Sequence, residues 1–127
     1  AYSYFLEALL PVMDRPACRE ALERGIPRLA GFLRDIAPLF ARSDVYAQLL
    51  RVRLIADQHG AVPLNAVQAA EEAAAIATFQ REDGGFWFGR KHGTEFLPFS
   101  NPVSTSFCLQ ALGMWHGDRN IPVHSLI

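Results

Sequence analysis

The chain has 127 residues, half of them apolar and a fifth charged, with a net charge of −1. That is enough chain for one domain with a real core, and too balanced a charge for a broad pull toward nucleic acid or acidic membranes. No stretch reaches the length of a membrane span, and no leader peptide is visible.

In chain order, Tyr2 to Met13 places Tyr2, Phe5, Leu6, Leu9 and Leu10 at helical spacing, and Pro11 ends or kinks that segment. Asp14-Arg15-Pro16 reads as a cap for a short helix to Arg24, stopped by Gly25. Pro27 to Ala41 is a further helix, with Leu29, Phe32, Leu33, Ile36, Leu39 and Phe40 on one face; Gly31 and Pro38 weaken its continuity. Ser43 caps a strong helix from Asp44 to His59, which Gly60 terminates. Asn65 caps an alanine-rich helix from Ala66 to Arg81, whose small side chains let neighbours approach closely.

Asp83-Gly84-Gly85 stops that helix, and Phe86, Trp87 and Phe88 follow at once. Three consecutive aromatics must bury much of their surface, at roughly 1.5–3 kcal/mol each. Gln80, just before them, is placed to hydrogen-bond the free backbone groups of an adjacent helix end. A long loop from about Gly89 to Ser100 leads to Asn101-Pro102, an N-cap and first helical position. The helix they open carries apolar groups on almost every side up to Gly117, so it reads as buried all round. No alternating strand pattern occurs, and the expected class is all-α.

Gln80-x4-Gly85-Phe86-Trp87 resembles the Gln-Trp repeat of terpene cyclases. The following Asn-Pro-Val-Ser-Thr-Ser-Phe-Cys-Leu-Gln-Ala-Leu, Asn101 to Leu112, is similar to the helix after a Gly-Gly-Phe turn in protein prenyltransferase β-subunits. Both belong to the α/α-toroid superfamily, so the resemblance implies antiparallel helical hairpins in a partial toroid. Gln80, Gly85 and Trp87 would be its structural motif. One departure is Ala75, where an aromatic is expected upstream of Gln80. A gapless repeat supports the same reading: Ser43–Leu54 aligns with Asn101–Leu112 at an offset of 58 residues. The alternative is chance similarity between two capped apolar helices. Residues 1–127 then form a single helical domain with repeat-like units at about 27–60 and 65–117. Two units do not close a ring, so the chain is either a segment of a longer protein or a domain completed by another copy.

The zinc His of prenyltransferases matches Ser104 here, and no Asp-rich acid motif is present, so catalytic residues are unassigned and no metal or cofactor is evident. In the resembling architecture Phe86, Trp87 and Phe88 would line an apolar, isoprenoid-like cavity, with Arg90 and Lys91 against a diphosphate; packing and surface charge are the plainer readings. His92 with Glu95 is either a weak acid–base or metal pair or solvated loop. His59, His116 and His124 fall beside helix ends or in the tail. Arg51 and Arg53 either face a cavity or form a surface stripe. Cys18 and Cys108 read as reduced core residues, which favours the cytoplasm. The expected function is therefore scaffold within a terpene-cyclase/prenyltransferase-like protein, enzymatic only with groups from elsewhere. The alternative is a non-catalytic helical-repeat module for protein association.

Overall fold

Apolar spacing at three and four residues builds most of what the computed structural model describes, residues 1–117. Helix α1 (Tyr2–Leu9) runs into a 3-10 turn at Leu10–Val12, where Pro11 breaks the α pattern as expected. Helix α2 spans Pro16–Ile36 without interruption. Strand β1 (Phe40–Arg42) leads directly into α3 (Ser43–Gln58). After α4 (Ala66–Ala77) come strands β2 (Gly89–Lys91) and β3 (Glu95–Phe96), and then α5 (Pro102–Trp115).

The sequence predicts two helices where α2 is one. Its buried stripe, Leu22, Ile26, Leu29, Ala30 and Leu33, crosses Gly25 and Pro27 without a break. A proline inside a helix costs about 3 kcal/mol, but burial of each large side chain returns roughly 1.5–3 kcal/mol. Gly25 is a contact and not a stop: a Cβ there would lie 2.4 Å from Leu6 Cδ2. The missing side chain lets α1 and α2 touch.

The chain is predominantly helical, in line with the all-α expectation, and adds a small antiparallel sheet in the order β1-β2-β3. Phe40 pairs with Lys91 and Arg42 with Gly89; Arg90 pairs with Phe96. Strands of two or three residues are too short for alternation to register in sequence. Gly89 is required at the pairing, because its Cβ would stand 2.8 Å from the Ala41 carbonyl oxygen. The expected loop is thus partly a hairpin, turned through His92 (φ 51°) and Gly93 (φ 79°).

Helix α3 lies at the centre and packs against α1, α2, α4 and α5. Every residue from Ala47 to Ala56 is buried. The helix buried all round is therefore α3 and not α5. Helix α5 turns Ser104, Cys108, Ala111 and Met114 inward and leaves Val103 and Leu109 more than half exposed. Asn65 and Asn101 cap as expected, each side chain accepting the N–H three residues on. Ser43 does not cap: Arg42 holds the cap position and Ser43 starts the helix. Helix α4 stops at Ala77, four residues earlier than its composition suggests. Among the described residues no helix is long and apolar enough to cross a membrane.

Candidate functional site

The segment after α4 turns back on itself. Gln80 and Phe86 form a backbone bridge, Arg81 N–H donates to Gly85 O at 2.7 Å, and Trp87 N–H donates to Phe79 O at 2.8 Å. Gly84 takes a positive φ of 88°, and Asp83 Oδ1 accepts the Gly85 N–H. The turn is fastened on two sides. Phe86 N–H donates to Thr105 Oγ1 on α5 at 3.3 Å, and Ser43 Oγ donates to the carbonyls of Trp87 (2.7 Å) and Phe88 (3.1 Å). The Gln80-to-Trp87 stretch thus ties the end of α4 to the first turns of α3 and α5. The tie is made by backbone and hydroxyl groups. The Gln80 side chain is exposed, and it lines a shallow recess together with Leu112, Trp115 and His116 at the end of α5.

Arginines and aromatic rings alternate across the outer side of this turn and sheet. Arg81 lies over Trp87 at 4.5 Å, and Trp87 stacks on Phe96 at 6.1 Å. Arg90 lies over Phe79 at 4.8 Å and donates to Thr78 Oγ1. Arg42 lies over Phe88 at 4.7 Å, with Phe88 stacked on Phe99. Such stacking is worth about 0.5–1 kcal/mol at exposed positions. Two of these guanidinium groups are also engaged by carboxylates: Arg42 with Asp44 at 2.7 Å and Arg81 with Asp83 at 3.2 Å. An open recess of about 520 Å³ lies beside Trp87, lined by Gln80, Arg81, Glu82 and Asp83.

Of the sequence-predicted residues, Trp87, Phe88 and Arg90 share this ribbed face, half-buried. Phe86 points away from it into the core, with no exposed surface. Lys91, His92 and Glu95 are exposed on the hairpin. Among the described residues no group of three or more His, Cys, Asp or Glu side chains is placed to hold a metal ion. His59 and His116 occupy the C-caps of α3 and α5; His124 lies outside the described residues. Cys18 and Cys108 are free thiols. Burial pushes the Cys108 thiol up to about 12, so it stays protonated and is no nucleophile.

Arg51 and Arg53 do not form a surface stripe. Both are buried within ion pairs that run from α3 to its neighbours. Arg53 Nε donates to both Glu72 oxygens at 2.7 and 2.9 Å, and its Nη2 donates to Gln68 Oε1. Arg51 Nη2 donates to Glu7, which also accepts from Gln48 Nε2; Ser3 Oγ donates to Gln48 in turn. The Arg51 guanidinium lies over the Phe107 ring at 4.2 Å. Burial pushes the Glu7 and Glu72 carboxyls above the usual range, outweighing the pull of their arginines. Sequence spacing holds no trace of these partners, because they come from other helices. Arg42, Arg81, Phe79, Phe96 and Phe99 were likewise not singled out by it; their ring-over-cation order exists only once the sheet has formed.

Compared with models of known protein families, with curated proteins and with solved structures, the chain matches none of them.

Proposed function

We propose that the chain is a helical scaffold that associates through apolar faces on its outer helices, and that it carries out no reaction with its own side chains. One observation carries this reading. The large exposed apolar residues on helices all lie on the outer ones: Tyr4 and Phe5 on α1, Phe32 and Ile36 on α2, Val67 on α4, Val103 and Leu109 on α5. The central helix is buried, so these outer faces correspond to the open ends of a helical array, which need a cap or a neighbour. The neighbour is a second copy or the remainder of a longer chain. The buried Arg–Glu pairs fit the same reading, since charges locked between helices serve structure and not proton transfer.

The terpene-cyclase/prenyltransferase-like toroid remains our reading of the wider architecture. The turn from Gln80 to Trp87, clasping α4 to α3 and α5, is its support. In that setting the face of Trp87, Phe88 and Arg90 is a wall beside an apolar ligand, and any catalytic groups come from outside the chain.

Light scattering over a range of concentrations tests association. The chain is expected to associate as concentration rises, and Val103→Glu with Leu109→Glu to leave a helical monomer. A wild-type chain that stays monomeric at every concentration, in a gene that encodes nothing more, overturns the scaffold reading.

A further inference from the structure

A second recess, separate from the Trp87 face, lies between α2, α3 and α4. Its volume is about 160 Å³. Ala30 and Leu33 from α2, Leu49 from α3 and Ala75 from α4 supply apolar walls. Ala75 brings only a methyl group to that wall. Tyr46 and Gln68 also line it; the Gln68 carbonyl is taken by Arg53, while the Tyr46 hydroxyl and the Gln68 amide NH2 have no hydrogen-bond partner among the described residues. The charges around the rim cancel. Arg34 and Glu71 are of opposite sign, and both Glu72 oxygens are held by Arg53 Nε.

We propose that this recess binds a small neutral ring compound bearing one hydroxyl, the ring against Ala30, Leu33, Leu49 and Ala75 and the hydroxyl on Tyr46 or Gln68. The size fits: an apolar cavity of about 150 Å³ takes a single benzene ring. The composition fits too, since ligand sites are mostly apolar with a few placed polar groups. A neutral head follows from the mixed rim, because a ligand charge drawn to Arg34 or Glu71 is repelled by the other and loses hydration on entering the apolar walls. The site does not depend on the association described above, and the two fail separately.

Titration of the chain by NMR with phenol, toluene, benzoate and benzylamine reads the proposal. Phenol is expected to shift signals of Tyr46 and its neighbours saturably, with toluene weaker and both charged probes weaker still. Tyr46→Phe should bring phenol down to the level of toluene, and Ala75→Phe should abolish binding of both. Tyr46→Phe keeps the ring in place, so it reads the site even where Ala75→Phe does not fold. No saturable shift with phenol, shifts away from the recess, phenol binding unchanged in Tyr46→Phe, or a charged probe binding as well as phenol each overturns it.

Discussion

Two ion pairs on one helix, two residues apart, are finished very differently. At Arg53 the fork is filled: Nε bridges both oxygens of Glu72 and Nη2 meets Gln68. At Arg51 only Nη2 finds an oxygen, on Glu7, while Nε and Nη1 are buried with no partner among the described residues. Both arginines have little or no exposure, 5% and 0%. The difference lies in what the facing helix offers. Helix α4 presents Gln68 and Glu72 one turn apart, so one guanidinium meets both. Helix α1 presents Glu7 and Ser3 with the same spacing, but Gln48 takes the Ser3 hydroxyl and a share of Glu7. A buried charge is thus present at both joints, and only one joint completes its hydrogen bonds.

Removing one partner should break the comparison most visibly. Loss of a carboxylate from a buried pair costs about 3–5 kcal/mol, since the other charge stays behind unpaired. Glu7→Ala is expected near the top of that range, because Arg51 keeps only the face of Phe107. Glu72→Ala should fall lower, because Gln68 still holds Arg53. Urea unfolding of the two variants measures both; a reversed order would show that the completed joint, and not the incomplete one, depends more on its carboxylate.

Replacing both partners comes next in size and should change sign. Glu7→Leu with Arg51→Met removes two buried charges and the unpaired donors together. A gain of about 1–4 kcal/mol is expected where an apolar pair replaces a poorly completed one. Glu72→Leu with Arg53→Met should gain less or nothing, because the hydrogen bonds it removes were already satisfied. Equal gains in urea midpoint at the two joints would erase the distinction drawn from the unpaired Arg51 nitrogens.

Neither joint was legible in the sequence beyond the oddity of two arginines on an apolar helix. Glu72 lies 19 residues from Arg53 and Glu7 44 from Arg51, and no local pattern reports such pairings. What was legible was local chemistry: the Asn65 and Asn101 caps, the Pro11 break and the glycine turn after α4. Local cues misled where a residue served a distant contact. Gly25 read as a stop because glycine usually is one, yet it makes room for Leu6. Ser43 read as a cap, yet its hydroxyl reaches the carbonyls of Trp87 and Phe88. The strands escaped notice because Phe40–Arg42 finds its partner only at Gly89–Lys91. In the candidate site, packing was the plainer reading for all three aromatics and Phe86 is fully buried, but three adjacent aromatics do not reveal which one turns inward.

The smallest effect is the most diagnostic, because its sign separates burial from pairing. Glu7 and Glu72 both hold their protons more tightly in the fold than the ordinary carboxyl at 4.5 does, with burial as the leading cause. A carboxyl raised on folding contributes stability that is fully present below its unfolded value and is lost as pH rises through its folded one. Glutamine copies the protonated form without titrating. Measured against Glu7→Gln, the wild type should therefore lose relative stability as pH climbs from about 4, then level off above the folded value. Glu72→Gln should show a fall of the same sign, because burial outweighs the two Arg53 hydrogen bonds and the Arg53 charge, which both favour the carboxylate. Pairwise urea unfolding at several pH values isolates each group from the other acids. A wild type that instead gains on Glu7→Gln with rising pH would mean that attraction to Arg51 outweighs the cost of leaving water. The Glu7 joint would then answer to pH in the opposite sense to the Glu72 joint, and burial would no longer lead at both.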